Sequence, residues 1–232
     1  MEAIVLAGGL GTRLQGVIGA FPKCMAPVNG RPFLAYLLEY LDEQKCTRVI
    51  LSLGYKNKVV TDWLEEQDYM FEIDCVIEEE PLGTGGGILA AVEEAATDDV
   101  TVVNGDTMFI ANLAQMMKFH SENKSETTLA LKKMQQFDRY GIVNTNEKGI
   151  ITSFEEKRFC EEGMINGGIY MINREAFLKR NLPYKCSFEK EYLERHVNDK
   201  KFFGFESDGY FIDIGVPTDY ESAQNDFKTL FK

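Results

Sequence analysis

Histidine and paired cysteine are scarce in this 232-residue chain. It has two histidines, and its five cysteines are odd in number, widely spaced and free of any Cys-x-x-Cys pair. These counts exclude a histidine-rich metal site and argue against a zinc ribbon or a disulfide framework. Any metal ion would have to be held by carboxylates, which favours a hard ion such as Mg²⁺. The dispersed cysteines also suit a reducing cytoplasm, where we expect the protein to reside.

Long hydrophobic runs and a basic leader are also absent from the sequence. The longest apolar stretches, residues 4–9 and 33–38, fall far short of the ~20 residues that cross a bilayer. The side chains from Met1 to Ile4 include none of the basic groups that open a signal peptide. We therefore expect no membrane partner.

Positive charge is in short supply. The chain has 25 Lys and Arg against 37 Asp and Glu, which gives a formal net charge of -12. A protein that neutralises many phosphates needs the opposite balance, so we expect no nucleic-acid partner. At 44% hydrophobic and 12% aromatic, the chain can bury a substantial core, and its length suits one large domain.

The first half of the chain alternates between apolar segments of strand length and amphipathic segments of helix length. Strands are predicted at residues 3–7, 48–53, 74–78 and 100–103, and helices at residues 32–41, 57–66 and 86–96. Continuous apolar strands separated by helices predict a parallel sheet that is covered on both faces.

From Thr127 onward the pattern changes to short strands with turn residues between them. Strands in antiparallel or mixed arrangement are predicted at residues 129–134, 141–145, 150–154, 168–172 and 201–205. A closing helix is predicted over residues 217–230, with Pro217 in its first turn. The predicted fold is a single α/β domain over residues 1–232. It has a Rossmann-like mixed, mainly parallel sheet flanked by helices, and a smaller β-rich part.

The first strand runs directly into a glycine-rich loop. Gly8, Gly9 and Gly11 leave backbone N–H groups uncovered that can point into one concavity and hold a phosphate. Arg13 adds a cation that can fork onto phosphate oxygens. A dinucleotide fingerprint fits poorly because Leu14 stands at its third glycine, and the chain has no Gly-Lys-Ser/Thr triplet of a Walker loop. A bare tight turn explains the glycines but not Arg13.

The segment from Gly8 to Leu14, followed by Pro22 and Lys23, resembles the signature of the sugar-1-phosphate nucleotidylyltransferases. These enzymes join a sugar 1-phosphate to a nucleoside triphosphate and release pyrophosphate. The resemblance covers nearly the whole chain, and it implies that Arg13 and Lys23 contact the triphosphate around its α-phosphorus. It also implies nucleotide contacts from the loop and its neighbours: Leu6, Gly8, Gly9, Gly11 and Thr12.

The glycine-rich segment from Glu80 to Gly87 resembles the base-recognition segment of the same family. There, small residues such as Gly85 let a planar base approach the backbone, although the glycines could equally serve packing or a helix cap. If Glu80 faces the base, its carboxylate can accept both the ring N–H and the exocyclic amine of guanine. Uracil and thymine would be partly repelled. This hypothesis favours GTP over the other nucleotides.

Two aspartates follow strands in the manner of metal ligands. Asp106 comes directly after the fourth strand, at the sheet edge where parallel sheets bind their ligands. By the resemblance, Asp106 binds the catalytic Mg²⁺ and Asp213 is the second metal aspartate. Two carboxylates suit Mg²⁺, which keeps water and phosphate as its other ligands. Cys24, beside Lys23, has either a reactive thiol or a packing role, and we favour packing because this chemistry needs no protein nucleophile.

Three segments of the second half resemble the sugar site of the family. They begin at Tyr140-Gly141, at Phe154 before Glu156-Lys157, and at Asn166. The resemblance implies that the Gly141 backbone touches sugar hydroxyls, Glu156 accepts from them, Lys157 holds the sugar phosphate, and Asn166 is a further polar contact. It thus assigns residues 1–125 to nucleotide binding and residues 126–232 to the sugar and the second metal ligand.

The compact chain is most similar to the short guanylyltransferases that convert GTP and D-glycero-D-manno-heptose 1-phosphate to GDP-heptose for surface polysaccharides such as capsule, LPS or S-layer glycan. It is also similar to short uridylyltransferases acting on N-acetylmuramate 1-phosphate or a hexose 1-phosphate.

A non-catalytic regulator that binds nucleotide sugars stays open, but it would lose phosphate or metal ligands that this chain keeps. A glycosyltransferase would carry an Asp-x-Asp pair, whereas Thr107-Met108 follows Asp106. A homo-oligomer also stays open.

Overall fold

A computed structural model describes residues 1–9, 16, 19 and 21–231 of the chain. Its strands, in chain order, are β1 (Glu2–Leu6), β2 (Pro27–Val28), β3 (Arg31–Pro32), β4 (Arg48–Leu53), β5 (Glu72–Ile77), β6 (Asp99–Asn104), β7 (Thr107–Phe109), β8 (Thr127–Phe137), β9 (Ile142–Thr145), β10 (Ile151–Glu155), β11 (Cys160–Asn173), β12 (Phe202–Glu206) and β13 (Phe211–Asp213). The helices are α1 (Phe33–Glu43), α2 (Asn57–Leu64), α3 (Gly83–Glu94), α4 (Leu113–Glu122), α5 (Arg174–Leu178) and α6 (Pro217–Leu230), with a π-helix at Phe188–Glu194. Two 3₁₀ turns span Lys23–Met25 and Val197–Asp199.

A nine-stranded mixed sheet forms the centre of the molecule. In its first half β1 pairs in parallel with β4 and β6, and β5 continues the parallel pairing beyond β4. The residues of β1 and β4 are almost fully buried, as expected for parallel strands covered by helices on both faces. The parallel sheet predicted from the apolar runs is confirmed.

The long strand β11 joins the two halves of the sheet. It pairs antiparallel with β6 on one side and with β8 and β9 on the other, while β12 adds to β8 in parallel. Both β8 and β11 run longer than the strands predicted from their apolar cores. Their ladder continues through polar, exposed positions such as Gln135, which pairs with Glu162. The predicted fold class, a mixed sheet flanked by helices, is confirmed.

Two hydrophobic layers cover the faces of the sheet. Alternate residues of β1 point to opposite layers, so that Ala3 and Val5 join one cluster and Ile4 joins the other. The first layer contains the buried faces of α1, α4 and α6, and the second contains α3 and the aromatic side of the π-helix. Among the helices of the described residues, none combines the length and apolarity needed to span a bilayer.

Two helices show how far local signals predict the helix bounds of the structure. Helix α6 begins at Pro217 and ends at Leu230, as predicted. Helix α4 was not predicted, because only part of its surface is apolar. Its N-cap gives the missing signal: the Asn112 side chain accepts a hydrogen bond from Gln115 N at 2.9 Å.

Candidate active site

The chain that leaves the carboxyl end of β6 brings Asp106 close to the end of β1. Gly105 N donates to Leu6 O at 2.9 Å, so the chain leaving β6 stays close to the end of β1. A Cβ on residue 105 would lie 2.6 Å from that carbonyl oxygen, which explains why glycine stands before the aspartate. Leu6, predicted to contact the nucleotide, therefore lies at the same sheet edge as Asp106.

A short two-stranded ribbon brings Asp213 to the same place. Strands β7 and β13 pair antiparallel, with Asp213 opposite Thr107, and Ile214 N donates to Asp106 O at 3.0 Å. Asp213 Oδ1 accepts from Gly215 N at 2.7 Å, which fixes that carboxylate. The two aspartates predicted to bind metal thus lie side by side although they are far apart in sequence.

Lys23 contacts both aspartates. Its ammonium forms an ion pair with Asp106 Oδ2 and lies 3.5 Å from Asp213 Oδ1. The Lys23 side chain is 15% exposed, whereas the two carboxylates are about one-third exposed and open to a ligand. Three of the predicted catalytic residues therefore meet at one point.

Cys24 takes no part in the ion pairs between Lys23 and the two aspartates. Burial, helped by the Asp106 charge, raises the pKa of its thiol to about 12, so the sulfur stays protonated. The thiol is 2% exposed and lies in the hydrophobic cluster beside Ala7. These observations support the packing role.

The paired aspartates fit the donor set of Mg²⁺. The described residues contain no group of three or more His, Cys, Asp or Glu side chains that could enclose a metal ion. Two carboxylates with partly exposed oxygens suit an ion that draws most of its ligands from water and phosphate. Mg²⁺ binding by Asp106 and Asp213 stays a prediction.

The described part of the glycine loop faces an acidic residue that no motif singled out. A Cβ on Gly8 would lie 2.9 Å from Glu78 Oε1 and 3.2 Å from Gly54 N. A Cβ on Gly87, in α3, would also lie 2.9 Å from the same carboxylate oxygen. Glu78 therefore lies between Gly8 of the loop and helix α3. The predictions on Gly11, Thr12 and Arg13 lie outside the described residues.

The Glu78 carboxylate is held by two donors. Its Oε1 accepts from Ser52 Oγ at 3.1 Å, and its Oε2 accepts from Leu82 N at 3.2 Å. Glu78 follows β5 directly, just as Asp106 follows β6. The rule that ligands bind at the carboxyl ends of parallel strands could have found it from sequence.

Glu80 and Gly85 have different surroundings from those expected. Glu80 forms an ion pair with Lys185 at 2.6 Å, and both side chains are about half exposed. Gly85 packs against Cys186: a Cβ on Gly85 would lie 2.6 Å from Cys186 Sγ, and Gly85 N donates to Cys186 O at 2.9 Å. Glycine at position 85 therefore admits another segment of this chain. Nucleotide contact by either residue stays a prediction.

A cavity of about 510 Å³ gathers the predicted sugar residues. Gly141, Glu156, Lys157, Asn166 and Asp213 all line it. The Asn166 amide is preoriented, since its Nδ2 donates to Tyr170 Oη at 2.9 Å and its Oδ1 accepts from Gly168 N at 3.0 Å. The structure thus places the predicted sugar contacts in one cavity that reaches the second aspartate.

Part of the cavity wall was missed by sequence reasoning. The segment around the π-helix contributes Ser187, Glu189, Lys190, Leu193 and Glu194. Its sequence shows no glycine cluster or strand-end aspartate, so nothing in its pattern marked it. A π-helix is rare and often lies at a functional site.

Residues 2–229 match the family model described as nucleotidyl transferase. The chain belongs to the nucleotidyl transferase family. The family predicted from the glycine loop and Lys23 is therefore confirmed, and the chain is an enzyme of the sugar-1-phosphate nucleotidylyltransferase type.

Two curated relatives match this family member along nearly their full length. It is 45% identical over 228 residues to the D-glycero-alpha-D-manno-heptose 1-phosphate guanylyltransferase of Aneurinibacillus thermoaerophilus, covering 98% of this chain and 99% of that protein. It is 44% identical over 220 residues to a Campylobacter jejuni protein of the same name, covering 95% of this chain and 97% of that protein.

The solved structure of HddC from Yersinia pseudotuberculosis complexed with GMP-PN superposes with a TM-score of 0.87 at 34% identity, covering 97% of this chain and 99% of that chain. A second solved structure of HddC from the same organism gives a TM-score of 0.88 at 35% identity. The fold of this family member is thus the fold of HddC.

Proposed function

We propose that the chain transfers GMP from GTP to D-glycero-D-manno-heptose 1-phosphate, giving GDP-heptose and pyrophosphate. The observation that carries this proposal is the meeting of Lys23, Asp106 and Asp213, since Asp213 also lines the cavity of the predicted sugar contacts. Full-length relatives named for this activity support the choice of substrates. Within the proposal, the enzyme acts in the cytoplasm and supplies surface-polysaccharide synthesis.

The reaction is an in-line displacement at the α-phosphorus of GTP. An oxygen of the sugar phosphate forms the new P–O bond, the bond to the β-phosphate breaks, and pyrophosphate leaves with the electron pair. Since the attacking phosphate is already ionised at neutral pH, no general base is needed. Catalysis then consists of positioning and charge neutralisation.

The chain's own residues divide this work. Lys23 exchanges its carboxylate partners for the α-phosphoryl group, and Lys157 aligns the attacking phosphate from the cavity wall. Arg13 is proposed to stabilise the departing pyrophosphate. Asp106 and Asp213 would hold Mg²⁺, which supplies charge neutralisation between the phosphates.

Glu78 is proposed as the reader of the base. Its carboxylate lies beside Gly8 and Gly87, and it has acceptor capacity left beyond the two hydrogen bonds it accepts within the chain. A carboxylate there suits the adjacent ring N–H and exocyclic amine of guanine. Glu80, the residue favoured from sequence, is engaged with Lys185 at the surface.

A pyrophosphate-release panel tests the proposal. Four nucleoside triphosphates are crossed with the 1-phosphates of heptose, mannose and N-acetylmuramate in the presence of Mg²⁺. GTP with the heptose phosphate should give the highest kcat/KM. A preference for UTP with N-acetylmuramate 1-phosphate would replace the proposal by the uridylyltransferase, and no release with any pair would favour a non-catalytic regulator.

A further inference from the structure

The cavity wall formed by the π-helix is firmly anchored. Thr84 Oγ1, at the start of α3, accepts from Phe188 N and donates to Glu189 Oε2, each at 2.9 Å. Ser187 Oγ also donates to Glu189 Oε2 at 2.9 Å. On its inner side, the buried ring of Phe188 packs edge-on against Tyr170 at 4.9 Å. The wall is therefore fixed both to helix α3 and to the sheet.

Two charged side chains on this rigid wall line the cavity without a protein partner. Lys190 and Glu194 are exposed, and they are four residues apart on the π-helix. Throughout the described ranges, neither side chain forms a hydrogen bond or an ion pair. Glu189, by contrast, accepts hydrogen bonds from Thr84 and Ser187 through its Oε2.

The chemistry of this pair suits a diol. An ammonium group only donates hydrogen bonds and an ionised carboxylate only accepts them, whereas each hydroxyl does both. Two neighbouring hydroxyls can therefore accept from Lys190 and donate to Glu194. A phosphate at this wall would be repelled by Glu194. At the other end of the proposed site it would meet the Lys157 ammonium and, at Asp213, a carboxylate that would hold Mg²⁺.

We propose that Lys190 and Glu194 bind the two hydroxyls of the exocyclic side chain of a heptose 1-phosphate and so select a seven-carbon sugar over a hexose. This inference rests on the proposed function and adds the residues that determine the sugar. A heptopyranose carries a CHOH–CH₂OH side chain, whereas mannose carries a single CH₂OH. A site that hydrogen-bonds a substrate hydroxyl discriminates against the analogue that lacks it.

The experiment measures kcat/KM with saturating GTP for heptose 1-phosphate and for mannose 1-phosphate. The wild type is compared with Lys190→Met and Glu194→Gln. Matched controls are Lys179→Met and Glu175→Gln, which alter an exposed ion pair between α5 and the residue that follows it, away from the cavity lining. The ratio of the two kcat/KM values should fall about tenfold or more in each cavity variant, through loss of the heptose value alone, and should stay unchanged in the controls.

The outcomes separate this inference from the proposed function. An unchanged ratio, or an equal loss for both sugars, overturns the role of the pair, because a merely structural wall would affect both substrates alike. If the wild type does not turn over the heptose phosphate with GTP, the proposed function itself is overturned, and the selection falls with it.

Discussion

Lys23 shows how one residue can serve a site before its substrates arrive. Two carboxylates placed side by side at a sheet edge repel each other unless a cation lies nearby. The Lys23 ammonium supplies that cation through its contacts with Asp106 and Asp213. Because the same ammonium is proposed to bind the α-phosphoryl group, binding of GTP would draw Lys23 away from the two carboxylates, which would then hold Mg²⁺.

We propose that one carboxylate decides the base preference, and an experiment can separate the two candidates, Glu78 and Glu80. In Glu78→Gln the amide presents a donor as well as an acceptor, so the GTP over UTP ratio of kcat/KM should fall about tenfold or more. Glu80→Gln should leave that ratio unchanged, because Glu80 is paired with Lys185. Steady-state kinetics with both nucleotides checks this. A loss confined to Glu80→Gln would restore the interpretation favoured from sequence.

At the scale of elements, Glu2 joins β1, β4 and the end of α3 at the sheet edge opposite the site. It accepts from Ala96 N and Thr97 N, both at 2.7 Å, and from Arg48 Nη1 at 2.8 Å. Burial opposes ionisation, but the hydrogen bonds from Arg48, Thr97 and Ala96 outweigh it and lower the pKa of Glu2 to about 2. The ionised form is therefore favoured in the folded state.

This pKa predicts a pH dependence of stability. A carboxyl whose pKa is lower in the folded than in the unfolded chain contributes stability above its unfolded pKa, about 4.3. The contribution, about 3 kcal/mol, is lost as the pH falls toward 2. Urea unfolding from pH 7 to pH 3 should show a smaller loss of unfolding free energy in Glu2→Gln than in the wild type. Parallel profiles would contradict the assignment.

Elements with a strong local signal were predictable from sequence. The strands of the first half are continuous apolar runs, and Pro217 marks the start of α6, so these agree closely with the structure. The ends of β8 and β11 depend on cross-strand pairing of polar residues, which a single segment does not reveal. The π-helix is set by its anchors on Thr84 and Tyr170, contacts between residues distant in sequence.

The residues of the candidate site divide in the same way: some have a local signal in the sequence, and others depend on the fold. Asp106 and Asp213 could be assigned because each follows a strand and resembles a family motif. Their proximity depends on the pairing of β7 with β13, which only the fold supplies. Glu78 was not predicted, because Glu80 lies in the segment that resembles the family's base-recognition motif. Lys190 and Glu194 were not predicted, because only the folded structure shows that they line the cavity.

For the whole molecule, a net charge of -12 coexists with a site for two anionic substrates. Lys157 and Lys190 line the cavity together with five carboxylate side chains, and Lys23 contacts one of these, Asp213. A phosphate there therefore meets individual ammonium groups and not a positive surface. Local field rather than net charge governs binding of a small phosphate in such a crevice. The acidic surplus of the chain still disfavours binding of extended polyanions such as nucleic acid.

We propose that Asp106, Asp213 and Lys23 form one centre that joins GTP to a heptose 1-phosphate. The most direct measurement follows GDP-heptose and pyrophosphate together, in wild type and in Asp106→Asn, with Mg²⁺, GTP and D-glycero-D-manno-heptose 1-phosphate. We predict equal amounts of the two products from the wild type and a rate about 10²–10³-fold lower in the variant. Pyrophosphate without nucleotide sugar, or a near-normal rate in Asp106→Asn, would contradict the account.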